Sequence, residues 1–471
     1  MKKVIRGIAF LVITVIVILG IYNVLRWKDT TGGYLSTTSQ LYATENDLID
    51  VVFLGSSHCY CGINPDVLWG EYGYSAFGMT ISGQDKLSTY YHLNEVLKTQ
   101  TPDVVCVELW GLTYDEYGVE GNQHRNMMAM DLSENSVELI KAAIEDEDEQ
   151  MDYILRWPIV HTRYKELGKY DFVPYEYSQY GRSAEMLFES GWSQMPTEAI
   201  DCDEIGELTA TNREWLETLY QLSEEKDFKL VLFVAPTMLD IEQQKQMNGA
   251  KEFAQKRGIE FFDFNRMLGD IGLDYEKDFT DQTHLNGYGA EKLTRYFGAY
   301  FKQNLNLADH RGDENYHQWK DSYNFYEHAL KNKEISEITD IPTYFTTLSK
   351  LEGYTCLVSF EGTYSESTLD MKMYTKILGV TKEQYELGGT FLIKNGEVTH
   401  LLDNKSEEIV SYELNEYDAF KVQNMELVTD EEGGFYDIEF NMESVGSAIN
   451  GINVVIYDDV MKKIIDKRGY Y

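Results

Sequence analysis

Two short segments far apart in the chain hold the residues best suited to chemistry. VVFLGSSH, residues 51–58, brings a run of β-branched and apolar residues to Gly55, Ser56, Ser57 and His58. It reads as a buried strand entering a small-residue turn, which would expose a hydroxyl at the strand's carboxyl end. Open α/β sheets place their chemistry at that end. DFTDQTHLNGYGA, residues 278–290, sets Asp281 three residues before His284, ahead of an amphipathic helix that Asn286 is suited to cap. A base and the carboxylate that orients it would thus arrive on one loop. A hydroxyl, an imidazole and a carboxylate are the parts of nucleophilic acyl transfer.

The elements that would position these groups follow from the hydrophobic pattern. Residues 50–55, 104–109, 228–235 and 259–263 read as buried strands, and 74–79 as a shorter extended piece. Asn64 and Pro65 open a short helix ending near Gly70 or Gly73, and helices are expected from Gln84 to Lys98, over 239–257 and over 287–304. Strands alternating with helices imply an α/β domain with a parallel sheet, over residues 46–305. The section 113–227, rich in Tyr, Glu and Met and containing the acidic run Glu145–Met151, reads as an insertion. Residues 306–340 read as a charged helical connector. A second, α+β module is expected over 341–471 from YTCLVSFEG, GGTFLIKNGEVTHLL and GINVVIYDDVMKKIID. That module shows no nucleophile and base together, so it reads as an accessory domain.

Composition limits the function. The 79 acidic and 41 basic residues give a formal charge of −38, which repels nucleic acid. Residues 7–25 carry no charge, and at about 1.5 Å per helical residue they span roughly 28 Å, the thickness of a bilayer's hydrocarbon core. Lys2, Lys3 and Arg6 precede them, so residues 1–28 read as a single-pass anchor with the N-terminus inside and the bulk of the chain outside the cell. No small-residue cleavage site follows the run, which favours an anchor over a signal peptide. Residues 29–45, with Gly32, Gly33 and many Ser and Thr, read as a linker. The five cysteines lack CxxC spacing and suggest neither a disulfide framework nor a metal site.

The Gly55-Ser56-Ser57-His58 turn, the later Ile81-Ser82-Gly83-Gln84 and the terminal Asp281-x-x-His284-Leu285-Asn286 together resemble the SGNH/GDSL hydrolase superfamily. The flavour is similar to membrane-anchored bacterial members, including D-alanyl-lipoteichoic acid biosynthesis and alginate O-acetylation proteins. The resemblance covers roughly residues 46–305 and implies a flavodoxin-like parallel sheet flanked by helices. It implies Ser57 as nucleophile, His284 as base and Asp281 as its orienter, with no cofactor. Ser56 stands where many members have aspartate, and Gly83 matches the block that donates a backbone N–H to the oxyanion. Gln84 and His58 would line the substrate site. After strand 104–109 the family often has Gly-x-Asn-Asp, whereas this chain has Glu108, Leu109, Trp110 and Gly111. The asparagine donor is missing, and Asn126 is the candidate substitute from the insertion.

The implied activity is that of a cell-surface esterase or O-acyltransferase on acetyl or D-alanyl esters of envelope polysaccharide or teichoic acid, with a membrane-bound O-acyltransferase as partner. The competing reading is a non-catalytic, glycan-binding scaffold of the same fold. In the last segment, GINVVIYDD also resembles the ILEI-type extracellular module.

Overall fold

The structure is a computed structural model that describes residues 2–26, 34–113, 122–172, 197–360, 370–404, 406–416, 418–424, 436–446 and 451–470. The chain divides into two units, residues 1–324 and 325–471.

The first unit is built on five parallel strands: β1 (Val51–Gly55), β2 (Ala76–Thr80), β3 (Val104–Glu108), β4 (Lys229–Val234) and β5 (Glu260–Asp263). Their order, β2-β1-β3-β4-β5, is that of flavodoxin-like sheets. Four of the five strands are buried almost throughout because helices cover both faces, which is why they read as continuous apolar runs. Side chains alternate between those faces. Val52 and Leu54 join Leu93, Val107 and Leu216 in one core, while Val51 and Phe53 join Phe233, Phe297 and Phe301 in the other. In this strand order the direction of winding reverses beside β1. The carboxyl ends of β1 and β3 therefore flank the crevice where such sheets bind ligands.

Before the sheet come α1 (Lys2–Leu25), a helix long and apolar enough to cross a membrane, and α2 (Tyr34–Ala43). The helix α2 falls in the stretch 29–45 that was expected to be a linker. It folds because Leu41 is driven into the sheet's core and Gln40 and Thr38 are buried with it, so polar composition concealed a packed helix. Residues 29–33 of that stretch lie outside the described residues.

Between β1 and β3 lie α3 (Ser57–Gly62), α4 (Pro65–Tyr72) and α5 (Lys86–Val96). Asn64 and Gly73 cap α4 as their residue types suggest. The insertion contains α6 (Asn122–Ala129), α7 (Glu134–Ala143) and α8 (Glu147–Leu155). It gives way to the sheet-covering helix Ala210–Lys226, whose Leu216 and Leu219 are fully buried. Residues 114–121 and 173–196 of the insertion are outside the described residues. The helix Gly287–Asn304 closes the second face with Leu293, Phe297 and Phe301. The first unit extends past the expected boundary at 305, because Tyr316 and Trp319 enter its core and Trp319 Nε1 donates to the Ala76 carbonyl at 2.9 Å.

The second unit has two antiparallel sheets and short helices. Tyr354–Phe360 is the central strand of a five-stranded sheet, flanked by Gly389–Lys394 and Ile452–Asp458. Asn395 and Gly396 both have positive φ (51° and 77°), the geometry of the tight turn that joins Gly389–Lys394 to Glu397–Leu402. Val410–Glu413, Ala419–Asn424, Tyr436–Phe440 and Glu443–Ser444 form the other sheet.

Candidate active site

The first arm of the site is the turn after β1. Gly55 has φ of 151°, and a Cβ there would stand 2.7 Å from Glu108 Cβ and 3.0 Å from Cys59 Cβ, so the turn needs glycine. Ser56 caps α3: its carbonyl accepts from the N–H groups of Cys59 (3.0 Å) and Tyr60 (3.3 Å), and its Oγ accepts from that of His58 (3.4 Å). Ser57 is thereby the first residue of α3 and half-buried. Cys59 and Cys61 pack inward, and burial pushes the Cys59 thiol up, so it is no nucleophile at neutral pH.

The second arm is the loop before the closing helix. It is pinned at its base by a bridge between Phe279 and Leu285 and by hydrogen bonds from Thr280 N to the His284 carbonyl (3.0 Å) and from Asn286 N to the Asp278 carbonyl (2.9 Å). Asp281 Oδ1 accepts from the N–H groups of Thr283 (2.7 Å) and His284 (3.0 Å) and from the Thr283 hydroxyl (3.0 Å). Its Oδ2 lies 2.9 Å from His284 Nδ1, and His284 Nε2 lies 2.8 Å from Ser57 Oγ. With the imidazole N–H on Nδ1, His284 donates to Asp281 and accepts the Ser57 proton at Nε2. Burial acts to raise the Asp281 pKa, but the hydrogen bonds from Thr283 and His284 outweigh it and hold the carboxyl below its ordinary value. Three side chains 224 and more residues apart in sequence, or adjacent on one loop, thus form a continuous carboxylate, imidazole and hydroxyl chain.

The third arm is the β2–α5 connection. Ile81 N donates to the Gly55 carbonyl (3.3 Å), tying this loop to the serine turn, and Gln84 N donates to the Ile81 carbonyl (2.9 Å) across a turn in which Gly83 has φ of 65°. The N–H groups of Gly83 and Ser57 have no acceptor among the described residues. The Gln84 side chain is buried and donates to Thr89 Oγ1 (3.4 Å), not to either of the other arms. Asn126 is buried on α6, where its carbonyl meets His92 Nε2 at 3.2 Å on the side of α5. That contact belongs to the packing of α6 on α5, and no described contact joins Asn126 to Ser57 or His284.

Glu108 and Trp110, which the resemblance marked only as departures, are part of the site. Glu108 ends β3 fully buried; Oε1 accepts from Trp110 N (2.9 Å) and Oε2 from Ser56 Oγ (3.5 Å). Burial pushes its pKa up to about 8 against the opposing hydrogen bonds from Trp110, Ala235, Ser56 and Leu109. Ser56 Oγ is also 3.0 Å from His58 Nδ1. The His58 ring is stacked between Trp110 (centroids 4.2 Å apart) and His284 (4.8 Å), forming one wall of the His284 ring. Burial pushes His58 down to about 3, helped by the neighbouring His284 charge, so this wall is neutral. The available signal was a lone glutamate ending an apolar strand beside the sheet's switch point.

No family model matches the chain, and no curated protein matches it. The chain is similar to a solved structure from Bacteroides fragilis described as a "putative acylhydrolase", with 13% identity over 57% of this chain and 95% of that one. The TM-score is 0.28. A likeness that slight carries no argument.

Proposed function

We propose that this protein is a membrane-anchored serine esterase or O-acyltransferase of the SGNH-hydrolase type, acting on acyl esters of envelope polysaccharide or teichoic acid. The observation that carries the reading is the chain from Asp281 through His284 to Ser57, with links of 2.9 and 2.8 Å and a serine that is only half-buried. The sheet order and the position of the two arms, one after β1 and one before the closing helix, support the SGNH assignment. The apolar helix α1 supports an envelope location, and the N-terminus-inside orientation rests on Lys2, Lys3 and Arg6 ahead of its uncharged run. The choice of acetyl or D-alanyl esters, and of a membrane-bound O-acyltransferase as partner, rests on the sequence resemblance.

In this reading His284 Nε2 takes the proton as Ser57 Oγ attacks the ester carbonyl, and Asp281 holds the imidazole tautomer and stabilises the imidazolium. The N–H groups of Ser57 and Gly83 donate to the tetrahedral oxyanion. Collapse expels the alcohol, which takes the proton back from His284 and leaves acyl-Ser57. Water then completes hydrolysis, or a second hydroxyl completes transfer, activated by the same histidine. A covered serine or an averted histidine would favour the scaffold reading; the 2.8 Å approach of His284 Nε2 to a half-buried Ser57 supports the enzyme instead.

The test is fluorophosphonate labelling of the full-length protein in detergent. The parent should label, and Ser57→Ala and His284→Ala, each verified as folded, should not. A folded parent that stays unlabelled, or a label that survives Ser57→Ala, overturns the reading.

A further inference from the structure

The first unit closes around the end of α1. Arg163, nearly buried, donates through Nη1 to the carbonyls of Leu25 (2.9 Å) and Arg26 (2.7 Å) and through Nη2 to Asp171 Oδ1 (2.8 Å). Those helix-end carbonyls have no intrahelical donor, so the arginine fastens the end of α1 to the segment that follows α8. Leu25 is buried with Met128 and Val160. The helix is therefore docked into the fold at its end and is more than a tether.

Exposed apolar side chains gather around this clamp. Outside α1, the large hydrophobic residues exposed among the described residues of the first unit are Tyr42, Leu132, Met151, Leu155, Trp157, Tyr164, Phe172, Ile205, Met238 and Ile241. All but the last three belong to α2 or to residues 132–172. Clustered exposed apolar groups mark an interaction surface, and Trp and Tyr among them match the composition found at a membrane's interface. A cavity of about 650 Å³ lies between this surface and α1, with Ile18 and Leu19 on the helix side and Leu132, Leu155 and Trp157 opposite; Arg26, Arg156 and Asp131 also line it.

We propose that residues 132–172 form an interfacial platform seated in the bilayer leaflet at the C-terminal end of α1, with an acyl chain of an anionic phospholipid in the cavity. Ile18 lies seven residues before Leu25, about 10 Å down the helix, so that wall of the cavity is at acyl-chain depth whenever α1 spans the bilayer. Whatever enters along it comes from the hydrocarbon. Two arginines against one aspartate leave the lining with a positive balance, which complements a lipid phosphate. The acidic run does not oppose this seating, because Glu147–Glu149 open α8 while Leu155 ends it, about 9–12 Å away along the helix. With the whole chain at −38, adsorption by general charge is unfavourable, and the contact depends on this local apolar and arginine-bearing surface.

The proposal is independent of the chemistry at Ser57 and rests on α1 being retained. It is tested on the full-length protein in nanodiscs of phosphatidylcholine and phosphatidylglycerol, with Cys202 replaced by serine and spin labels placed at Leu155→Cys, Leu132→Cys and, as a control, Ile205→Cys. Labels at 155 and 132 should be more accessible to oxygen than to a water-soluble nickel chelate, and the label at 205 the reverse. Native mass spectrometry should show a bound phosphatidylglycerol that Leu155→Asp releases while the circular dichroism spectrum is unchanged. Aqueous readings at 155 and 132, a mature chain whose intact mass lacks α1, or lipid retention unaffected by Leu155→Asp would each overturn it. Aqueous readings together with a doubled particle mass would assign the surface to a second copy of the chain instead.

Discussion

Glu108 and His58 sit in van der Waals reach of the serine turn and respond to pH in opposite directions. Glu108 holds its proton up to about pH 8 in the folded protein, against 4.5 as its ordinary value. The folded state thus binds more protons than the unfolded chain between those values, and stability falls as pH rises through that window. His58, lowered from 6.5 to about 3, binds fewer, so its contribution is lost as pH falls below 6.5. Glu108→Gln removes the ionisable group but retains an acceptor for Trp110 N. Its stability advantage over the parent should be flat below pH 4.5, widen up to pH 8 and level off above it. Thermal unfolding at pH 5, 6.5 and 8.5 reads this directly, and parallel curves for the two proteins would sink it. Asp281→Asn is the complementary substitution at the other arm. Asn keeps an oxygen to accept from the Thr283 and His284 N–H groups, so the loop should persist, yet it no longer enforces the imidazole tautomer. We expect fluorophosphonate labelling of Ser57 to slow by about 10²–10⁴-fold with little change in stability. Labelling at the parental rate would show that Asp281 only shapes the loop.

One asparagine side chain joins the loop that carries His284 to the closing helix. Asn286 Oδ1 caps the closing helix by accepting from Tyr288 N (3.0 Å) and Gly289 N (3.1 Å), while its Nδ2 donates to the Lys277 carbonyl (2.7 Å). Asn286→Ala should cost about 1–2 kcal/mol in chemical denaturation and slow labelling, because the same side chain fixes helix and loop. Asn286→Asp, which keeps the cap and loses the donor, should fall between; equal loss in both would place the whole effect on the donor. Elements of this kind were legible in the sequence. The buried strands announce themselves as β-branched runs, and the helix starts at Pro65 and Gly287 carry their caps beside them. Helix α2 was hidden because its burial involves one leucine, two threonines and a glutamine, a pattern that composition reads as a spacer. The helix His317–Glu337 spans the division between the two units, as a connector would, but its charged residues conceal Trp319, Phe325, Tyr326 and Ile335, which are all buried. At the site, sequence spacing brought out the two arms. It passed over Glu108 and Trp110, whose importance comes from the parallel pairing that sets the end of β3 against the end of β1, a juxtaposition no local pattern encodes.

At the scale of the whole chain, the apolar cores divide as the units do. The two clusters that sandwich the parallel sheet draw only on residues up to 323, and those of the antiparallel sheets only on residues from 335 onward. Cooperative unfolding follows shared cores, so two transitions are expected where one chain has two. Substitutions then act on one transition at a time. Glu108→Gln should move only the first unit's transition. Phe391→Ala, which empties a fully buried site stacked against Phe360 (centroids 5.2 Å apart), should lower only the second unit's by about 3–5 kcal/mol. Differential scanning calorimetry of the parent and both variants separates the outcomes. Two endotherms that shift independently establish that the candidate site belongs to a unit stable without the C-terminal one. A single endotherm displaced by either substitution would mean that the second unit is required for the first to fold, and that the site's geometry depends on residues far from it in sequence.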